Sequence, residues 1–175
     1  MISRLRAETA LDGTVGRVLD DVIALLGAEF GDLQLALPDR SLMLVTQNGF
    51  ARPFLLGMRK LTAEASTVCV RAFLSQKPTT VPDVHTDRPF SKYLDIAQKA
   101  GFKAVHSQPL TADANDPVGV VSALFANPHS PTGVELHMLD EYSRFAADHL
   151  VGLLRGKDVN AEAERLFLSM LDGAP

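Results

Sequence analysis

The chain has 175 residues, 46% of them hydrophobic, with a formal net charge of −4 and one cysteine. That length suits a single domain able to bury a full core. The acidic balance argues against a broad nucleic-acid-binding surface, and one cysteine excludes both an internal disulfide framework and a multi-cysteine zinc site. There is no signal peptide and no apolar run of about 18 residues, which predicts a cytoplasmic protein without membrane contact. No internal repeat or low-complexity tract appears.

Met1 to Gly13 reads as a polar lead-in, partly helical. Thr14 to Phe30 is predicted as a helix, with Val15, Leu19, Val22, Ile23, Leu26 and Phe30 at helical spacing. Leu33–Leu37 and Leu42–Gln47 read as strands joined at the turn Pro38-Asp39-Arg40-Ser41, and Asn48-Gly49 ends the second. Ala51 to Lys60 is short helix or loop. Ser66 to Ser75 is a helix with Ser66 as its cap. Thr79 to Val84, interrupted by Pro82, suits an edge strand. Ser91 to Ala100 is a helix closed by Gly101.

Ala104–Thr111 and Val118–Ala126 form a hairpin around the polar turn from Ala112 to Pro117. Pro109 predicts a bulge or break in the first of these strands. Thr132-Gly133-Val134-Glu135 matches a capping box and opens a long helix. Gly156-Lys157-Asp158 breaks that helix, and Ala161 to Leu171 forms another. The elements give an α+β domain: an antiparallel sheet of five or six strands, terminal helices on one face, middle helices and loops on the other.

GFKAVHSQPL, PVGVVSALFANPHSP and the helix containing ELHMLDEYSRFAADHL resemble the C-terminal half of a GAF domain. STVCVRAF and KPTTVPDVHTDRPF are similar to the middle of GAF domains from bacterial sensory proteins. The resemblance covers roughly Thr14 to Leu154. It divides the chain into a lead-in (1–13), a GAF domain (14–155) and a tail (156–175). It also implies the same layered layout (profilin-like and PAS-related) and a sensory or regulatory module in signal transduction. Such a module would bind an unidentified small molecule over the sheet and signal through its terminal helices. The alternatives are a ligand-free dimerisation scaffold and, less favoured, a redox switch or enzyme using Cys69.

The long helix carries two apolar stripes: Leu136, Leu139, Ala146, Leu150 and Leu153 on one, Met138, Tyr142, Phe145 and His149 on the other. One stripe suffices to cover a sheet. The second is covered either by the N-terminal helix of the same chain or by a second copy. In a homodimer, Val15, Leu19, Leu136, Leu139, Leu150 and Leu153 are the candidate interface residues.

Two groups are candidate pocket residues. His106 and Gln108 share one face of their strand with Ala104; they floor a pocket if that face looks at the middle helices, and otherwise meet the terminal helices. Asp83, His85, Phe90, Tyr93 and Leu94 line the connection that follows the edge strand. In GAF domains this connection often closes over the ligand. Cys69 reads as a small buried hydrophobe, since Arg71 faces away from it and no base is nearby. The methionine sulfoxide-reducing branch of the family uses several cysteines, so that activity is not expected, and no catalytic residue is assigned.

The five histidines form no HxH, HxxxH or HExxH pair, so no metal site is assigned. The Asn-Lys-Phe-Asp-Glu string of cyclic-nucleotide-binding members is absent. Cys69 is followed by Val70 rather than His, against covalent bilin attachment. The cofactor is unknown, and haem through a single axial His, or a nucleotide, stays open. No Gly-rich phosphate loop or G-x-S-x-G elbow occurs. Asp20-Asp21 and Asp140-Glu141 read as solvated helix faces. About twenty residues follow Leu154, too few for an output domain. Either a partner such as a kinase or transcription regulator carries the output, or the chain is an input fragment of a larger protein; the Ala161–Leu171 helix either docks on such a partner or folds back on its own domain.

Overall fold

The computed structural model describes residues 1–113 and 116–175. The centre of the expected turn between Ala112 and Pro117 lies outside the described residues. In chain order the elements are α1 (Ile2–Arg6), α2 (Leu11–Leu26), β1 (Phe30–Ala36), β2 (Leu42–Asn48), α3 (Arg52–Gly57), β3 (Lys60–Leu61), α4 (Val68–Ser75) and β4 (Thr79–Val81). Two 3₁₀ turns (Val84–Thr86 and Arg88–Tyr93) lead to α5 (Leu94–Ala100), β5 (Ala104–Leu110), β6 (Gly119–Phe125), α6 (Gly133–Leu154) and α7 (Val159–Asp172). The six strands form one antiparallel sheet in the order β3-β2-β1-β6-β5-β4.

Local chemistry explains most boundaries. Gly27 takes the left-handed conformation (φ 65°) that ends α2, so Phe30 opens β1 instead of closing a helix. Gly101 ends α5 the same way (φ 93°). Thr132 and Glu135 form the expected capping box, each side chain accepting the other's backbone N–H. Ser66 caps nothing: Thr67 holds the N-cap position of α4, and the Ser66 hydroxyl donates to the Pro89 carbonyl at 2.6 Å. Pro109 makes no bulge and pairs in register with Val120. β4 ends opposite Ser107, so Pro109 sits where β5 is effectively a sheet edge, the place a strand tolerates proline.

One face of the sheet is covered by α2 and α6. Leu33, Leu35, Val121, Ala123 and Ala104 are buried there with Val15, Leu19, Val22, Leu139, Ala146 and Leu150. This removes four of the six expected dimer-interface residues from any contact with a second copy. Val15, Leu19, Leu139 and Leu150 are 0–2% exposed within one chain, and Leu136 and Leu153 are partly covered. The second stripe of α6 is met by the N-terminus: Arg6 lies over the Phe145 ring at 4.8 Å, and His149 Nε2 donates to the Glu8 carbonyl at 2.8 Å. Asp21 is not a solvated carboxylate either, because it is buried and accepts the Tyr142 hydroxyl at 2.6 Å.

The tail helix α7 folds back on its own domain. Ala163, Leu166 and Phe167 are buried, Arg59 stacks on Phe167 and pairs with Glu164, and Arg165 bridges to Asp12. Among the described residues no helix is long and apolar enough to cross a membrane.

Candidate functional site

The second face of the sheet carries the site. Strand alternation places Asp32 on β1, Ser122 on β6 and Ser107 on β5 in one row across three neighbouring strands. Each is 0–6% exposed. One residue pair along, Gln34 faces the same way, beside a register shift in the β1–β2 pairing. Above this row, α3 supplies Phe54 and, at its end, Met58; α4 supplies Val68 and Cys69, preceded by Thr67. The second 3₁₀ turn supplies Phe90 and Tyr93, α5 supplies Ile96, and Phe102 precedes β5. Together these groups enclose a chamber with a polar floor and a largely aromatic roof.

The roof is a ring cluster. Phe50 stacks on Phe54 at 4.0 Å, and Phe102 meets Phe50, Phe54 and Phe90 edge-on at 6.2–6.3 Å. Asp87 fixes its rim by accepting the Phe90 N–H and pairing with Arg71 through two hydrogen bonds of 2.9 and 3.3 Å. The free space is about 30 Å³, room for one or two waters. Anything larger must lift Phe54, Met58, Tyr93 and Ile96, which are only half-buried.

The floor is unusual electrostatically. Asp32 Oδ1 and Gln34 Oε1 are buried without a hydrogen-bond partner among the described residues. Nothing offsets the burial of the Asp32 carboxyl, which is pushed up from 3.8 to about 7. Ser107 and Ser122 satisfy each other at 2.7 Å. Cys69 lies 3.3 Å from the Thr67 hydroxyl, and burial, with the nearby Asp32, pushes its thiol up to about 11. Such a thiol is almost wholly protonated at neutral pH and is a poor nucleophile. We expect less than one equivalent of iodoacetamide to react in an hour at pH 8 in native protein, and full reaction in guanidinium. Rapid native labelling, read by mass spectrometry, would contradict this.

Of the expected site residues, Phe90 and Tyr93 line the chamber. Asp83 and His85 do not: Asp83 caps the first 3₁₀ turn and bonds His85 Nδ1 at 3.0 Å on the outer surface. Leu94 packs on the core outside the lining. His106 and Gln108 face α6, so they do not floor this chamber. His106 Nε2 donates to Gln108 Oε1 at 3.1 Å, and Thr80 bonds His106 Nδ1 at 2.8 Å. Gln108 Nε2 donates to Asp140 at 2.8 Å and Ser143 at 3.3 Å. Asp140 is therefore half-buried and bonded, not freely solvated. Burial lowers the His106 pKa, consistent with the neutral form this bonding uses.

The residues missed in the sequence are Asp32, Gln34, Ser107, Ser122, Phe54, Met58 and Phe102. The signal was present in Gly31-Asp32-Leu33-Gln34-Leu35, where two polar groups alternate with leucines in a strand covered on both faces. No histidine lines the chamber, which does not fit a haem held by an axial His. A larger, open groove of about 540 Å³ lies along β5 and α6, lined by Gln76, Gln108, Asp140, Arg144 and Asp148 among others. It has no apolar roof and is a poorer ligand site.

No curated protein matches the chain. Solved structures share its fold. The GAF domain of a phosphoenolpyruvate-protein phosphotransferase from Coxiella burnetii aligns with TM-score 0.71 and 12% identity, over 94% of this chain and 92% of that one. A fragment of a methyl-accepting chemotaxis protein aligns with TM-score 0.68 and 19% identity, over 87% and 96%. Free methionine-R-sulfoxide reductase from Neisseria meningitidis, in complex with its substrate, aligns with TM-score 0.70 and 16% identity, over 87% and 84%. The GAF domain family model matches residues 8–151. With that match, and the layered sheet with its roofed polar floor, the chain belongs to the GAF domain family.

Proposed function

We propose that this protein is a sensory module that receives a small molecule between the sheet and the α3–α5 side, and passes its occupancy to the terminal helices. The observation that carries this reading is the row Asp32–Ser122–Ser107 buried beneath aromatic side chains. Polar groups are costly to bury without partners, and a site built to bind keeps some of them available. Membership of a family found in a chemotaxis protein and a phosphotransferase supports a regulatory role. The buried, protonated Cys69 supports a receptor rather than a catalyst.

β5 is the physical link between site and output. Ser107 faces the chamber, while its neighbour Gln108, held by His106, donates to Asp140 and Ser143 of α6. A shift of β5 on filling the chamber therefore moves groups that hold α6, which in turn would address an output protein such as a kinase or transcription regulator.

One observation favours a second reading, a ligand-free scaffold: the chamber holds only about 30 Å³ of free space. Native mass spectrometry of fresh protein, followed by thermal-shift screening of a metabolite library, separates the two. A ligand at 100 times its Kd stabilises by about 2.7 kcal/mol, roughly 5–10 °C for a chain of this size. Shifts of that size for a small chemical class support the receptor. A flat response, with no adduct in the native spectrum, supports the scaffold.

A further inference from the structure

Resting on the receptor reading, we infer that the ligand is a small organic cation carrying N–H donors, an ammonium or amidinium group on a compact apolar body. Its charged end would meet Asp32, and its body would lie under the rings of Phe54, Phe90 and Phe102.

Three observations independent of one another point this way. Asp32 Oδ1 lines the chamber, is at least nine-tenths buried and has no donor among the described residues; Gln34 Oε1, further along the same strand face and outside the lining, lies beside the Cys69 thiol. An unmatched carboxyl oxygen in the chamber floor calls for a donor from outside. Next, the chamber lining contains no lysine, arginine or histidine, so an anion would find no counter-charge. Arg71, the arginine of α4, lies outside the lining and pairs with Asp87 through both terminal nitrogens, which neutralises its charge, although its Nε is buried without a partner among the described residues. Finally, aromatic rings dominate the roof, and ring faces attract cations most strongly where water is excluded.

Burial holds Asp32 largely protonated below about pH 7, which adds a signature. A cation favours the carboxylate, so binding near neutrality expels the Asp32 proton. The other polar groups lining the chamber belong to Thr67 and Cys69 on the α4 side, Tyr93 of the 3₁₀ turn, and Ser107 and Ser122 of the sheet. None of these brings a positive charge that would substitute for the ligand's.

The test uses the full chain and four probes of similar shape: benzamidinium and phenethylammonium as cations, benzoate as an anion, benzyl alcohol as a neutral. Calorimetry at pH 8 and pH 6, in two buffers of different ionisation enthalpy, reads affinity and proton release together. The expected result is binding of at least one cation, tighter at pH 8 than at pH 6 by up to about tenfold, with release of a fraction of a proton near pH 7. Asp32→Asn, which keeps the shape and removes the charge, should weaken that binding at least tenfold. Benzoate or benzyl alcohol binding as tightly as the cations would overturn the cation inference while leaving the receptor reading standing. So would cation binding that Asp32→Asn leaves unchanged. Failure of all four probes, with a flat library screen, would count against both.

Discussion

Asp32→Asn is expected to make this protein more stable at pH 8 while weakening its response to a cationic ligand. The reasoning is linkage. The Asp32 carboxyl ionises near 3.8 in the unfolded chain but only at about 7 when folded. The folded state therefore binds the proton more tightly, and its contribution is fully present below pH 4 and lost as pH rises through 7. A shift of that size corresponds to up to about 4 kcal/mol at pH 8. Asparagine carries no such penalty and occupies nearly the same volume. Denaturant unfolding at pH 8 should show the variant more stable by about 2–4 kcal/mol, with the gap closing as the pH falls towards 4. A gap independent of pH, or a variant less stable at pH 8, would mean that Asp32 is not a buried, unpaired carboxyl. Stability surrendered at one position for a binding group is a common bargain at functional sites.

The second large effect concerns the roof. Phe102 is 4% exposed and holds edge-on contacts with three other phenylalanine rings. Phe102→Ala removes those contacts and leaves a cavity continuous with the chamber. The expected cost is about 3–5 kcal/mol, seen as a lower denaturant midpoint with an unchanged slope. Because the chamber in the native chain holds only about 30 Å³, the same variant should admit larger apolar bodies than the wild type. A cost below about 1 kcal/mol would show that the ring cluster does not close the chamber.

Elements whose signals are local were legible in the chain. Gly101, the Thr132–Glu135 box and the hairpin flanking residues 112–117 each act through neighbours a few residues away, and each element formed where those signals lie. Composition and order of elements were enough to give the layered α+β sheet. The two-residue strand β3 was invisible, since its pairing with Leu42 and Met43 is purely long-range. Phe30 continues the spacing of α2 by accident, and Gly27 settles the matter through backbone geometry instead.

The site was less legible for a specific reason. Alternation groups His106 with Gln108 and Val105 with Ser107, yet says nothing about which set looks at which helices. That choice depends on α6 lying over β5 and offering Asp140 and Ser143 to Gln108. His106 and Gln108 attracted notice because they are conspicuous side chains, whereas Ser107 and Ser122 are small and satisfy each other. Asp32 and Gln34 become chemically distinctive only when both faces of β1 are known to be covered. Asp21 likewise reads as a surface carboxylate until Tyr142 is brought against it from 121 residues away. The Cys69 reading needed no long-range information, because a cysteine among apolar neighbours without a nearby base is inert in most folds.

An NMR titration of the isotopically labelled full chain with benzamidinium tests the location of the binding site most directly. Resonances of Asp32, Cys69, Phe102, Ser107 and Ser122 should shift together and saturate, with smaller changes passing to Gln108, Asp140 and Ser143. Shifts confined to Gln76, Asp140, Arg144 and Asp148 would place binding in the open groove on the other face. That outcome, or no shift at millimolar probe, would contradict a receptor site built on Asp32 beneath the aromatic roof.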